Sequence, residues 1–122
     1  MPVISKRFAD ELIADKEMRD AYLEELTRAR TAVQIKSIRN ARGWSQAEFS
    51  LRLRKPQSNV HRLEDIEVAR YTLTTLLEVA SAYDCGLLID FVPYEDFLRR
   101  TEDLGPENFR VPAFDGKRLL SI

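Results

Sequence analysis

Apolar residues recur at three- and four-residue steps along the first forty residues, which is the spacing of one face of an α-helix. Asp15 interrupts this stripe and is placed to cap a second helix that starts at Lys16. Two continuations stay open: this helix runs unbroken to Ala41, or Thr31 caps a separate helix. Gly43 follows in the position typical of a helix end. The stripe consists of Phe8, Leu12, Ile13, Tyr22, Leu23, Leu26, Val33, Ile35 and Ile38.

The pattern between residues 45 and 64 predicts two short helices joined by a tight turn. Ser45 and Glu48 form an S-x-x-E capping box that begins the first helix. Pro56 suits the first turn of the second helix. Val60 and Leu63 lie three residues apart and can share a buried face. The polar side chains left pointing outward are Gln57, Ser58, Asn59, His61 and Arg62.

Two helices in this arrangement are the form in which many proteins present a helix to the DNA major groove. The outward side chains of the second segment are of the types that read base edges or bind phosphates. The pattern therefore favours a DNA-binding surface over an ordinary solvated helix face.

A further helix is predicted over Leu73–Tyr83, with Thr72 as its N-cap. Asp84 and Gly86 then end the helix. Its expected buried face consists of Leu73, Leu76, Leu77, Val79, Ala80 and Tyr83.

The next segment alternates as a β-strand does. Leu87, Ile89 and Phe91 share one side, and the other side holds Leu88, Asp90 and Val92. A single strand cannot satisfy its own backbone groups, so it needs a partner. We expect the same strand of a second copy, paired antiparallel about a twofold axis. Pairing with the C-terminal tail is the alternative.

From Tyr94 onward the sequence pattern predicts little regular structure. Tyr94–Leu104 is expected to form a short helix with Phe97 and Leu98 facing inward. From Gly105 onward the apolar residues follow no clear period, which predicts an irregular tail. The tail residues expected to find a groove are Phe109, Val111 and Phe114.

Charge is distributed unevenly along the chain. Residues 33–72 hold eight Lys/Arg and four Asp/Glu, although the 122-residue chain has a formal net charge of −1. A basic centre between acidic flanks is typical of a discrete DNA-binding face. A local excess of positive charge is sufficient for such a face, because electrostatic fields are screened over about 8 Å at physiological salt.

Composition argues for a cytoplasmic protein without enzymatic chemistry. Cys85, the one cysteine, cannot form an internal disulfide, which suits a reducing compartment. No apolar run approaches the roughly 20 residues that cross a membrane, and the N-terminus lacks a signal-peptide core. One His and one Cys do not build a four-ligand zinc site, and no phosphate-binding glycine loop is present. We expect no cofactor, no metal, no catalytic residues and no membrane partner.

The central chain contains the runs IRNARGWSQAEFSLRL, QSNVHRLED and TLTTLLEVASAYD. Together they resemble the phage-repressor/Cro-type helix-turn-helix family, also called the xenobiotic-response-element (XRE) type, and R-G-W-S-Q-A-E is a specific family feature. The segments Lys16–Tyr22 and Val111–Phe114 look like the N-terminal helix and V-P-x-F tail of a subgroup. The resemblance implies a mostly all-α, lambda-repressor-like five-helix domain.

The resemblance divides the chain into four parts. Residues 1–30 form a long N-terminal helical extension and residues 31–84 the helix-turn-helix DNA-binding domain. Residues 85–93 contain the dimerisation strand, and residues 94–122 the C-terminal helix and irregular tail.

The family's function is sequence-specific DNA binding in transcription regulation, typically as a repressor. The resemblance implies a homodimer on a palindromic operator whose half-sites lie roughly 34 Å apart. Gln57, Ser58 and Arg62 occupy the usual base-contact positions of the recognition helix over residues 57–64. The remaining expected contacts to double-stranded DNA are Ser45, Gln46, Arg54, Lys55, Asn59, His61, Arg70 and Tyr71.

Two departures from the family pattern keep other functions open. Arg54 stands where glycine is usual, and Pro56 replaces the usual small cap of the recognition helix. Both departures are compatible with a protein-interaction module that has lost DNA binding. The subgroup's N-terminal helix suggests an antitoxin that also binds a toxin protein. Glu64 is expected to pair with an arginine of the preceding helices, since it would otherwise repel the DNA backbone.

Overall fold

The computed structural model describes residues 4–101 and 103–122. The first three residues of the predicted extension and residue 102 of the predicted C-terminal part lie outside the described residues. Within the described ranges the regular elements are helices and no strand is formed, which confirms the mostly α-helical class. The elements are α1 Lys6–Ala14, α2 Lys16–Ala41, α3 Gln46–Leu53, α4 Gln57–Leu63, α5 Leu73–Tyr83, α6 Tyr94–Arg100, a 3₁₀ turn Pro106–Phe109 and α7 Gly116–Leu119.

The boundaries of α2 follow local signals in the sequence. The Asp15 carboxylate accepts hydrogen bonds from the backbone N–H groups of Glu17 and Met18, at 3.0 and 3.3 Å. Thr31 does not cap a separate helix, because its hydroxyl donates to the Thr27 carbonyl one turn back, at 2.8 Å. Gly43 takes the left-handed conformation, with φ +71°, immediately after the helix. The unbroken alternative, a helix of 26 residues, is therefore confirmed.

The N-terminus of α5 is as predicted, but its buried face is narrower. The Thr72 hydroxyl accepts from the Thr75 N–H at 3.1 Å, as an N-cap does. Leu73 and Leu77 are 56% and 51% exposed, which corrects their assignment to the core. At about 100° per residue, these two positions fall at one edge of the arc that buries Tyr83.

Stacked aromatic rings form the centre of the core. Tyr83 and Phe49 are fully buried, and their ring centroids lie 4.7 Å apart. The Trp44 ring packs against both, with its centroid 5.7 Å from that of Tyr83 and 6.2 Å from that of Phe49. The Tyr83 hydroxyl donates to the Ile35 carbonyl of α2 at 2.5 Å, and burial raises the pKa of this phenol well above its usual value. The core thus joins α2, α3 and α5.

Residues 85–93 have no regular secondary structure, so the predicted strand is not formed in the single chain. Leu88, Ile89 and Phe91 are 81%, 58% and 102% exposed. The alternative partner, the tail, approaches at Asp84, whose carbonyl accepts from the Phe114 N–H at 2.7 Å. A strand needs a neighbouring strand to pair its backbone groups, and a single copy of the chain does not provide one for this segment. Pairing with a second copy stays a prediction.

The C-terminal tail is more ordered than predicted. Phe109 is fully buried, with the Arg30 guanidinium 5.2 Å from its ring centre. Arg42 donates from Nη2 to the carbonyls of Tyr83 and Val111, at 2.8 and 2.9 Å, which ties the tail to the core. Phe114 is 62% exposed, so its ring does not lie in a groove as expected.

The helix predicted over Tyr94–Leu104 is shorter, ending at Arg100, and Phe97 and Leu98 on it are half-buried. The Tyr94 hydroxyl donates to the Arg19 carbonyl at 3.1 Å, which places α6 against the first turns of α2.

Replacing Phe109 with alanine is expected to lower the free energy of unfolding by about 3–5 kcal/mol, because it empties a fully buried aromatic site. Phe114→Ala is the matched control and should change it by less than about 0.5 kcal/mol, since that ring is mostly exposed. Urea denaturation followed by circular dichroism measures both. Equal losses for the two variants would contradict the placement of the tail.

Candidate nucleic-acid interface

The turn between α3 and α4 is built on an arginine in a left-handed conformation. Arg54 has φ 58° and ψ 41°, and its N–H donates to the Leu51 carbonyl at 3.3 Å. Lys55 then donates its N–H to the Ser50 carbonyl at 3.1 Å, which closes α3. A side chain in this region costs about 1 kcal/mol relative to glycine. The chain therefore makes the tight turn without the glycine that would relieve this strain.

The two faces of α4 differ as the sequence predicts. Val60 is fully buried and Leu63 is 8% exposed, and both belong to the core. Pro56 stands immediately before the helix and provides no side-chain cap. The exposed residues of α4 are Gln57, Ser58, His61 and Arg62, and Asn59 is half-buried.

A buried ion pair fixes the end of α4 to α2. Arg39 donates from Nε and Nη2 to the two carboxylate oxygens of Glu64, at 2.6 and 2.9 Å. The side chains are 10% and 4% exposed. Arg39 also donates from Nη1 to the Trp44 carbonyl at 2.8 Å, and its hydrogen bond to Glu64 raises the pKa of the guanidinium. The expectation that Glu64 pairs with a preceding arginine is confirmed, and its charge is directed inward.

Two predicted DNA contacts, Tyr71 and Gln46, are half-buried and have hydrogen-bond partners within the protein. The Tyr71 hydroxyl donates to the Leu63 carbonyl at 2.6 Å, and burial raises the pKa of this phenol to about 12. Its one proton is therefore used at the end of α4, and the contact of Tyr71 with DNA stays a prediction. Gln46 is half-buried and its amide donates to Glu64 Oε1 at 3.3 Å. Ser45 is exposed, but its hydroxyl accepts from the Glu48 N–H at 3.0 Å.

The remaining predicted cations lie on the surface near α4. Arg54 and Arg70 are exposed, and Arg70 donates to the adjacent Ala69 carbonyl at 2.8 Å. Lys55 Nζ lies 3.2 Å from a carboxylate oxygen of Glu78 on α5. Sequence reasoning missed Glu78 because nothing local in α5 indicates which neighbour it meets.

Sequence reasoning also missed Arg52, whose guanidinium lies 4.1 Å from the centre of the Trp44 ring. The available signal was the place of Trp44 shortly before α3, the helix that carries the exposed Arg52. This stacking holds a further cation on the outer face of α3.

The described residues give little support for a metal site, a reactive thiol or a membrane-spanning helix. No group of three or more His, Cys, Asp or Glu that could hold a metal ion occurs among the described residues. Burial raises the pKa of the half-buried Cys85 thiol, which disfavours its thiolate. In the described part of the chain, no helix combines the length and apolar character that crossing a membrane requires.

No family model, no curated protein and no solved structure matches this chain.

Glu64→Ala is expected to lower the free energy of unfolding by about 3–5 kcal/mol, because it leaves the Arg39 guanidinium buried without its partner. The double variant Arg39→Met/Glu64→Leu should recover most of this loss, since apolar side chains of similar volume often replace a buried ion pair at little cost. Thermal and urea denaturation of the three proteins measure the difference. A double variant no more stable than Glu64→Ala would contradict the burial described.

Proposed function

We propose that the chain is a sequence-specific DNA-binding transcriptional regulator in which α3, the turn and α4 form a helix-turn-helix unit. In this proposal α4 is the recognition helix. The supporting observation is its two-sided character, with Val60 and Leu63 in the core and Gln57, Ser58 and Arg62 exposed together. Other parts of the described chain do not cover these polar side chains.

The dimensions of α4 suit the major groove of duplex DNA. An α-helix with its side chains is about 10–12 Å in diameter, and the groove is about 12 Å wide. Gln57 can make two hydrogen bonds to adenine, and Arg62 two to guanine. Each such contact is worth about 1–3 kcal/mol of discrimination against a wrong base. These two side chains are therefore the proposed specificity determinants.

Contacts to phosphates would hold α4 in register. Arg54, Lys55 and Arg70 surround α4 with positive charge, and Ser45 lies at the first turn of α3. Such contacts carry no sequence information directly, and they make binding sensitive to salt. His61 and Asn59 are assigned to either a phosphate or a base.

A homodimer is the proposed binding form. The exposed side chains of Leu88, Ile89 and Phe91 belong to a segment without regular secondary structure. Pairing residues 85–93 with the same segment of a second copy would satisfy backbone groups and cover apolar surface together. Two recognition helices would then meet half-sites one helical turn apart, roughly 34 Å.

A second candidate function is that of an antitoxin, which would bind a toxin protein in addition to DNA. Ile13 and Leu23 favour it, since they are 75% and 39% exposed on the N-terminal helices, at positions distinct from α4. A neighbouring gene for a small basic ribonuclease-like protein would support this function, and an isolated gene would count against it.

Arg62→Ala is expected to relax base preference at one position of each half-site, because the side chain that reads guanine is removed. Lys55→Ala should instead weaken binding to all sequences alike, since it removes a phosphate contact. Selection of bound sequences from a random duplex pool identifies the operator, and titration of that operator and of random DNA measures both variants.

Equal losses on every sequence for both variants would show that Arg62 does not read bases. A flat titration of the wild-type protein with random DNA at low salt would contradict DNA binding altogether. That second result would favour a protein-interaction module.

A further inference from the structure

A cleft of about 190 Å³ separates the turn and α4 from α5. Its lining includes the cations Lys55, Arg62 and Arg70 together with one acid, Glu78. The cleft opens beside the exposed face of α4, because Arg62 belongs to both. It is therefore a positively charged depression at the border of the proposed DNA-binding surface.

The groups that line this cleft are those that bind a phosphate. Asn59 and Thr75 add neutral hydrogen-bond donors to the cations. Thr75 lies in the first turn of α5, an eleven-residue helix whose N-terminus carries partial positive charge. A cleft of this volume also admits a tetrahedral phosphate group.

Glu78 is already paired with one of these cations. Its carboxylate lies 3.2 Å from Lys55 Nζ, and the two side chains are 38% and 40% exposed. A pair this exposed contributes little to folding stability, so breaking it costs the fold little. The carboxylate offers Lys55 the same negative oxygen atoms that a phosphate would offer.

We infer that this cleft binds a backbone phosphate of duplex DNA and that Glu78 competes with that phosphate for Lys55. The inference rests on the proposed function and adds to it a phosphate site and an internal competitor. Glu78 lowers the affinity for DNA of any sequence, because a phosphate entering the cleft must displace the carboxylate from Lys55 or meet its charge.

The test compares two variants that remove the same negative charge from the full-length chain. Glu78→Gln removes it inside the cleft, and Glu25→Gln removes it from an exposed position on α2. Fluorescence anisotropy with a random-sequence duplex gives Kd between about 50 and 200 mM salt. Lys55 contacts its phosphate only in those wild-type complexes in which Glu78 is displaced. Glu78→Gln should therefore steepen the slope of log K against log salt by up to about 0.9, the value for one further phosphate contact.

At this upper limit, the ratio of the Kd value at 200 mM salt to that at 50 mM salt is about 3.5-fold larger than for the wild type. Glu25→Gln should keep the wild-type slope. Lys55→Gln in the Glu78→Gln background should abolish the gain, because the freed cation is then absent.

Each outcome separates the two claims. If the wild type binds DNA and Glu78→Gln changes the slope no more than Glu25→Gln, the competitor is disproved and the proposed function stands. If the gain persists without Lys55, the assigned pair is wrong. If neither the wild type nor Glu78→Gln binds any duplex at low salt, both claims fail. Binding by Glu78→Gln alone would support the competition at Lys55 and contradict the proposed function of the wild-type protein.

Discussion

A helix of seven residues does not persist in water by itself, because so few hydrogen bonds cannot recover the cost of starting a helix. The position of α4 therefore depends on tertiary contacts. Val60 and Leu63 supply the apolar part, and the pairing of Glu64 with Arg39 supplies a directional one. Because the pair has two hydrogen bonds, one to each carboxylate oxygen, it fixes the orientation of the helix end as well as its distance from α2.

The contacts that hold α4 come from widely separated parts of the chain. Arg39 belongs to α2, and Tyr71 on the segment before α5 donates to the carbonyl of Leu63. Phe109, from the tail, is buried in the same core cluster as Val60. Helix α2 and the tail thus support the scaffold from the inner side and leave the outer face of α4 uncovered.

Features governed by neighbouring residues were predictable from the sequence. The caps at Asp15 and Thr72 needed only a polar side chain and the helix beginning beside it. The outward face of α4 followed from the spacing of two apolar residues. Features that depend on distant residues were not predictable. The neighbours of Lys55 and Tyr71 lie on other elements, and the exposure of Leu77 depends on how far the core extends around α5. A strand over residues 85–93 depends on a second molecule.

The central claim is that the outer face of α4 enters the major groove. Protection of DNA from methylation by dimethyl sulfate tests it directly, because guanine N7 lies in the major groove and adenine N3 in the minor groove. On a selected operator, the bound protein should protect guanine N7 in two clusters about 10 base pairs apart. Protection confined to adenine N3, or no protection on an occupied operator, would contradict the account.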